Sequence, residues 1–262
     1  MDSWNGNDRW IALDGAANAR VVVPGVLLRS DNLQALTPQD VALLVEQEAL
    51  EVVLDLRTDL EVELEGPGPM THEPRVRIEH RSLYPRSGGN TDLDAVAENL
   101  WPRTDSSDWP NESRIVQAYL SYMTARPDSI VGSIRAIASA RGAVLVHCAA
   151  GKDRTGTVVA LALDAAGVDR TMIFTDYLAT AQRIEAIMAR LVSSPTYRSE
   201  LEGHDAQAHA PVPGTMERVL ELVDDAFGGS AAWLSSHGLS ASELELLRGR
   251  MAPVSRKRNY SA

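Results

Sequence analysis

The stretch "AVLVHCAAGKDRTGTVVALALDAAG", residues 143–167, decides how the rest of the chain is read. Its first five residues form an apolar run that stops abruptly, which predicts a strand buried on both faces. Residues 155–167 predict a buried helix ended by a glycine. Seven residues, Cys148 to Arg154, join the two. A tight loop between a buried strand and the first turn of a helix points several backbone N–H groups toward one place, and the helix end adds partial positive charge. The pattern therefore predicts an anion cradle.

Cys148 is the only cysteine in 262 residues. A lone cysteine is most often a small buried hydrophobe, but that role would not call for Gly151, Lys152 and Arg154 in the same turn. A thiol set among inward amides, a helix terminus and two cations has its pKa lowered from about 8.5 to about 3.5–7.5, which makes a nucleophile without a dedicated base. Ala149, Ala150, Gly151, Lys152, Asp153 and Arg154 are the candidate phosphate-binding residues. The small ones keep the rim open, and the planar fork of Arg154 can hold two phosphoryl oxygens. Thr155 can donate to a departing thiolate, and His147 reads as a residue that orders the loop rather than a base. A cradle that binds phosphorylated partners without turnover is the rival reading.

"HCAAGKDRTG" (147–156) resembles the HCxxGxxR(S/T) signature of the protein tyrosine phosphatase superfamily. Together with "VLLRSDNLQALT" (26–37), "VVLDLRTDLEVE" (52–63), "TDYLAT" (175–180) and "GLSASELELLRG" (238–249), it is similar to the bacterial tyrosine and lipid phosphatases over nearly the whole chain. The resemblance implies a tyrosine-phosphatase-like α/β fold, a cysteinyl-phosphate intermediate and no metal or other cofactor. It implies phosphotyrosine proteins as substrates, with phosphoserine, phosphothreonine and phosphoinositides beside them. The aspartate of the "DLR" strand end is the implied general acid, which maps to Asp55. A buried parallel strand would also fix Asp55 beside the Cys148 strand; its competing role is an ion pair with Arg57, counted here as a supporting residue. Asp153 in the loop, and Asp105 or Asp108 around "SDWP" (107–110), are the other candidates. The usual early "N(F/L)RDLGG"-like segment is represented only by "IALDGAANAR" (11–20). Lys152 reads as extra charge for substrates with more than one phosphate.

Working outward, residues 19–30 predict a hairpin about Pro24-Gly25, and Thr37, Pro38 and Asp40 predict a capped helix through Val45. "EVVLDLR" (51–57) predicts a second buried strand, followed by a short helix at 58–65, a turn at 66–69 and a strand at 75–80. Helices are expected at about 112–126 and 128–140, and again at 170–193, 214–227, 230–237 and 241–251, the last opened by a Ser240–Glu243 capping box. The expectation is a central, mostly parallel sheet flanked by helices with a helix-rich C-terminal third. It forms one phosphatase domain over 1–252, with 81–111 and 195–214 as surface or lid-like insertions and 253–262 as a basic tail. Sulfurtransferase loops of the rhodanese type are one residue shorter. Low-molecular-weight phosphatases carry theirs near the N-terminus.

Composition narrows the remainder. A net charge of −11, from 36 acidic and 25 basic residues, argues against nucleic acid as a partner. A single cysteine excludes an internal disulfide, and no Cys/His spacing suggests zinc. The N-terminus has no export signal, and no run of eighteen uncharged apolar residues occurs, so a cytoplasmic protein without stable membrane insertion is expected.

Overall fold

The computed structural model describes residues 9–66, 68–84, 109 and 111–252. Among the described residues five strands form one sheet: β1 Arg20–Val23, β2 Leu27–Ser30, β3 Leu50–Asp55, β4 Arg77–His80 and β5 Ala143–His147, in the order β1-β2-β5-β3-β4. Only β1 and β2 pair antiparallel, as the hairpin about Pro24-Gly25 requires; β2–β5, β5–β3 and β3–β4 are parallel.

Eleven helices are described: α1 Pro38–Glu46, α2 Asp59–Glu65, α3 Arg114–Ala125, α4 Pro127–Ser139, α5 Asp153–Ala165, α6 Arg170–Ala179, α7 Ile184–Ser193, α8 Pro195–Leu201, α9 Thr215–Phe227, α10 Ser230–Ser236 and α11 Ala241–Met251. Capping boxes open α1 (Thr37, Asp40), α2 (Thr58, Glu61) and α11 (Ser240, Glu243).

The two central strands divide their side chains between two cores at the period of two that a pleated strand dictates. Val52 and Leu54 of β3, with Val144 and Val146 of β5, face a large core built on α3, α4, α5, α9, α10 and α11. Val53, Ala143 and Leu145 face the other side, under α1 and the turn at Met70. Both strands are therefore buried on both faces, and their runs read as continuous apolar sequence. Registers Ser30↔His147, Asp55↔His147 and Asp55↔His80 bring the C-terminal ends of four strands to one edge, where open α/β sheets bind ligands.

Three expectations need correction. The helix after Cys148 begins at Asp153, not Thr155. The helix at 170–193 is divided by a 3-10 turn at Thr180–Arg183. Residues 195–214, expected as a loop, contain α8 and a 3-10 turn at Ala206–His209. Ser194 caps α8 by accepting from the Thr196 amide, Pro195 fills its first turn, and Tyr197 and Leu201, one turn apart, are buried. That Ser-Pro start with an i, i+4 apolar pair was the signal, masked by polar residues after it. Most of 81–111 and all of 253–262, including Asp105 and Asp108, lie outside the described residues.

Candidate active site

The loop after β5 is shaped from behind through its carbonyl oxygens. The Asn32 amide donates to Ala149 O (2.9 Å), Asn18 Nδ2 donates to Ala150 O (2.9 Å) and Gly151 O (3.2 Å), and Arg29 Nη2 donates to Gly151 O (2.6 Å). In a planar trans peptide the N–H lies opposite the C=O. Fixing these carbonyls outward therefore turns the amides of Ala150, Gly151 and Lys152 inward. Gly151 has φ +67°, and a Cβ there would sit 2.2 Å from Ser30 O, so the bend has no room for another residue.

Cys148 ends this strand edge almost fully buried at 2% exposure, and the Thr155 hydroxyl donates to its Sγ at 3.2 Å. Arg154, fully buried, meets Glu61 with both terminal nitrogens: Nη1–Oε2 2.6 Å and Nη2–Oε1 2.9 Å. Nη1 also reaches Leu56 O at 3.3 Å, and the guanidinium carbon lies 5.8 Å from the centre of the Tyr84 ring. Glu61 additionally accepts from the Thr58 amide (2.6 Å) and the Tyr197 hydroxyl (2.9 Å). Burial alone would push its carboxyl up, but the Arg154 charge and these donors hold it below the ordinary range. Sequence reading missed Glu61; its trace was the T-x-x-E capping box directly after the "DLR" strand end.

Asp55 does stand beside the Cys148 strand, but in surroundings that disfavour a proton donor. Arg57 grips it through Nε–Oδ1 (2.9 Å) and Nη2–Oδ2 (2.6 Å), and its Oδ1 also accepts from the Arg57 amide at 3.1 Å. Burial opposes the charged form, yet His147 and the Arg57 contacts bring the carboxyl well below the usual range. His147 Nε2 lies 3.7 Å from Asp55, while its Nδ1 contacts Cys148 O at 3.2 Å. Burial pushes the imidazole down to about 4, so at neutral pH it is uncharged and Arg57 is the counter-charge of Asp55. The ion pair with Arg57, the competing role, is the geometry found.

Asp153 is the carboxylate within the loop itself. It opens α5, is partly exposed, and accepts from the Tyr119 hydroxyl at 2.6 Å, which in turn meets Tyr177 OH at 2.9 Å. Lys152 Nζ lies 3.6 Å from Asp153 and donates to His209 O at 2.7 Å. His209 itself stacks with His204, ring centroids 5.6 Å apart.

Over the loop lies a third apolar cluster, in which Ala149 packs with Ile184, Ile187, Met188 and Leu191 of α7 and with Tyr197 and Leu201 of α8. Helices α7 and α8 thus pack on the loop through Ala149.

A family profile described as the tyrosine phosphatase family matches residues 11–253. The chain is 30% identical to the triple specificity protein phosphatase PtpB of Mycobacterium tuberculosis, over 92% of this chain and 95% of the relative. It is 26% identical to a tyrosine-protein phosphatase of Nostoc commune, over 90% of this chain and 77% of the relative. Among solved structures, the core catalytic domain of the PP-IP phosphatase SIW14 from S. cerevisiae aligns at 15% identity with a TM-score of 0.38, covering 81% of this chain and 96% of that one.

Proposed function

The chain belongs to the tyrosine phosphatase family, and from that membership we propose that it hydrolyses phosphotyrosine in proteins through a phosphate ester of Cys148. The observation that carries the reading is one cluster: a thiol contacted by Thr155 at the floor of an amide-lined loop, closed by a buried arginine held by Glu61. The thiolate attacks phosphorus in line, the phosphorus–oxygen bond to tyrosine breaks, and a carboxylic acid gives its proton to the leaving oxygen. Arg154 and the inward amides of the loop hold the non-bridging oxygens as charge spreads over them. In the second step water attacks phosphorus, the same carboxylate takes its proton, and sulfur departs with a hydrogen bond from Thr155.

The acid in this scheme is Asp153 rather than Asp55. A proton donor must bind its proton before giving it up, which the Arg57 pair opposes at Asp55. Asp153 sits in the loop, partly open to solvent, with Tyr119 setting its orientation. Asp55, Arg57 and His147 then serve to brace the strand ends behind the thiol. Residues 1–252 act as one phosphatase domain.

Substrate breadth follows from a cradle that grips the phosphoryl group. Phosphoserine and phosphothreonine are therefore included, and a relative named for triple specificity supports this. Lys152 beside the loop favours phosphoinositides as the second substrate class, because it is a second cation within reach of a neighbouring phosphate. No helix among the described residues is long and apolar enough to cross a membrane. The reducing cytoplasm suits a catalytic thiol with no partner cysteine.

The test is turnover of p-nitrophenyl phosphate and a matched panel of phosphopeptides and phosphoinositides, with acid-quenched mass spectrometry for phosphate on Cys148. Cys148→Ser should abolish both turnover and the adduct. A wild-type protein that binds phosphate without turning over any of the panel would instead be a phosphate-binding module.

A further inference from the structure

Against the loop carbonyls lies a buried cluster that the proposed chemistry does not use. Asp176 of α6 receives Arg29 Nη1 (2.6 Å), Arg20 Nε (3.1 Å) and Arg9 Nη2 (2.8 Å). Arg20 also donates to the Asp176 carbonyl (2.9 Å), to Thr180 Oγ1 (3.0 Å) and, through Nη1, to the side-chain oxygen of Asn18. The Asn18 backbone is in turn fixed by its amide donating to Asp31 Oδ1 at 2.9 Å. Asp176, Arg20 and Arg29 are each 1% exposed and Asn18 is fully buried.

Three guanidiniums around one carboxylate is a costly way to join a helix to a sheet. Desolvation of buried ions commonly exceeds what their pairing returns, and apolar residues of like volume serve stability as well or better. Burial pushes the Arg20 guanidinium down to about 9 even with Asp176 beside it. What apolar residues could not do is donate hydrogen bonds outward from the cluster. Two of its members donate toward one loop: Arg29 to Gly151 O (2.6 Å) and Lys152 O (3.4 Å), Asn18 to Ala150 O (2.9 Å) and Gly151 O (3.2 Å).

We propose that Asp176, Arg20, Arg29 and Asn18 form a positioning network that holds the loop carbonyls outward and so aims the loop amides at the phosphoryl group. The proposal rests on the phosphatase reading of the same loop. Asp176 fixes the planes of two guanidiniums; Arg29 then acts on the loop directly, and Arg20 acts through the orientation of the Asn18 amide. None of the four touches substrate. The weakly matching segment "IALDGAANAR" (11–20) thereby acquires a role, because it supplies both Asn18 and Arg20.

The test compares Asn18→Ala, Arg29→Met and Arg29→Lys with Arg9→Ala, which removes a guanidinium from Asp176 whose described hydrogen bonds do not reach the loop. Steady-state kinetics on p-nitrophenyl phosphate, thermal melts and calorimetric titration with inorganic phosphate are measured on each. Loss of loop alignment should lower kcat about 10- to 100-fold in Asn18→Ala and Arg29→Met, with KM changed less than about threefold and phosphate bound more weakly. Arg29→Lys should recover part of kcat, and Arg9→Ala should lose thermal stability while keeping kcat within about twofold. Folded Asn18→Ala and Arg29→Met proteins with kcat near that of the wild type would overturn the proposal. So would losses that merely follow melting temperature, as in Arg9→Ala, or a failure of every loop-directed variant to fold, which would assign the cluster to the core alone. If the wild type turned over nothing but Asn18→Ala still bound phosphate more weakly, the phosphatase reading would fall and the network would stand.

Discussion

Arg154 and Glu61, ninety-three positions apart, meet as a two-pronged pair with neither side chain exposed to solvent. The pair fixes the plane of the guanidinium, and with it the direction in which the remaining arginine edge faces the cradle. Removing one partner of a buried pair costs about 3–5 kcal/mol, because the other charge is left stranded. Glu61→Ala should therefore unfold at markedly lower urea. Glu61→Gln keeps an acceptor for Arg154 and should remain folded, with kcat/KM on p-nitrophenyl phosphate reduced by about an order of magnitude or more. Equal kinetics in Glu61→Gln would show that the arginine needs no such bracing.

The two candidate acids separate by leaving group. Asp153→Asn should slow turnover of an alkyl-substituted phenyl phosphate by about 10²–10⁴-fold and that of a strongly acidic phenol's ester far less, since the latter leaves without a proton. Asp55→Asn should depress stability through the loss of the Arg57 pair and lower both substrates alike. A leaving-group dependence that steepens in Asp55→Asn instead would return the acid to the strand end.

His147 makes stability depend on pH. Its folded pKa is pushed from 6.5 down to about 4 by burial, so the unfolded chain takes up this proton first. The stabilisation is complete above about pH 6.5, declines as pH falls through that value, and levels off once the native imidazole protonates near 4. The full change is about 3 kcal/mol. Denaturation midpoints taken between pH 7 and 4 should fall steadily, and His147→Asn should flatten the slope. The carboxyls of Asp55, Glu61 and Asp176 are held below their usual range, so they stabilise the fold across this window and lose that contribution only as pH falls below about 4.

Burial limits access to the thiol. Cys148, at 2% exposure, is packed in the large core cluster, so alkylation by iodoacetamide requires the loop and the elements packed on it to move. Leu201→Ala, which thins the apolar packing on the loop, should speed alkylation several-fold at constant pH. Because the chain has a single cysteine, mass spectrometry reads the rate without ambiguity. Unchanged rates would mean that reagent reaches sulfur by another path.

Much of this was legible in the chain because the signals were local. The apolar runs around Cys148 and before Asp55 are continuous because both strands are buried on both faces, and that continuity fixed the strand ends. Thr37 and Ser240 announced their helices through side chains within four residues. The partners of Arg154, Arg29 and the Ala150 carbonyl were not legible, since Glu61, Asp176 and Asn18 reach them across 93, 147 and 132 positions. Asp55 is a related case. Its place at the strand end was right, but proton affinity depends on Arg57 and His147 closing around it, which spacing alone does not disclose.

Two of the groups that surround the cradle, Asp176 and Tyr197, come after Cys148 in the chain. During synthesis the sulfur therefore leaves the ribosome before two of the groups that brace its surroundings exist. The bracing of the cradle is complete only once the chain has been made as far as Tyr197.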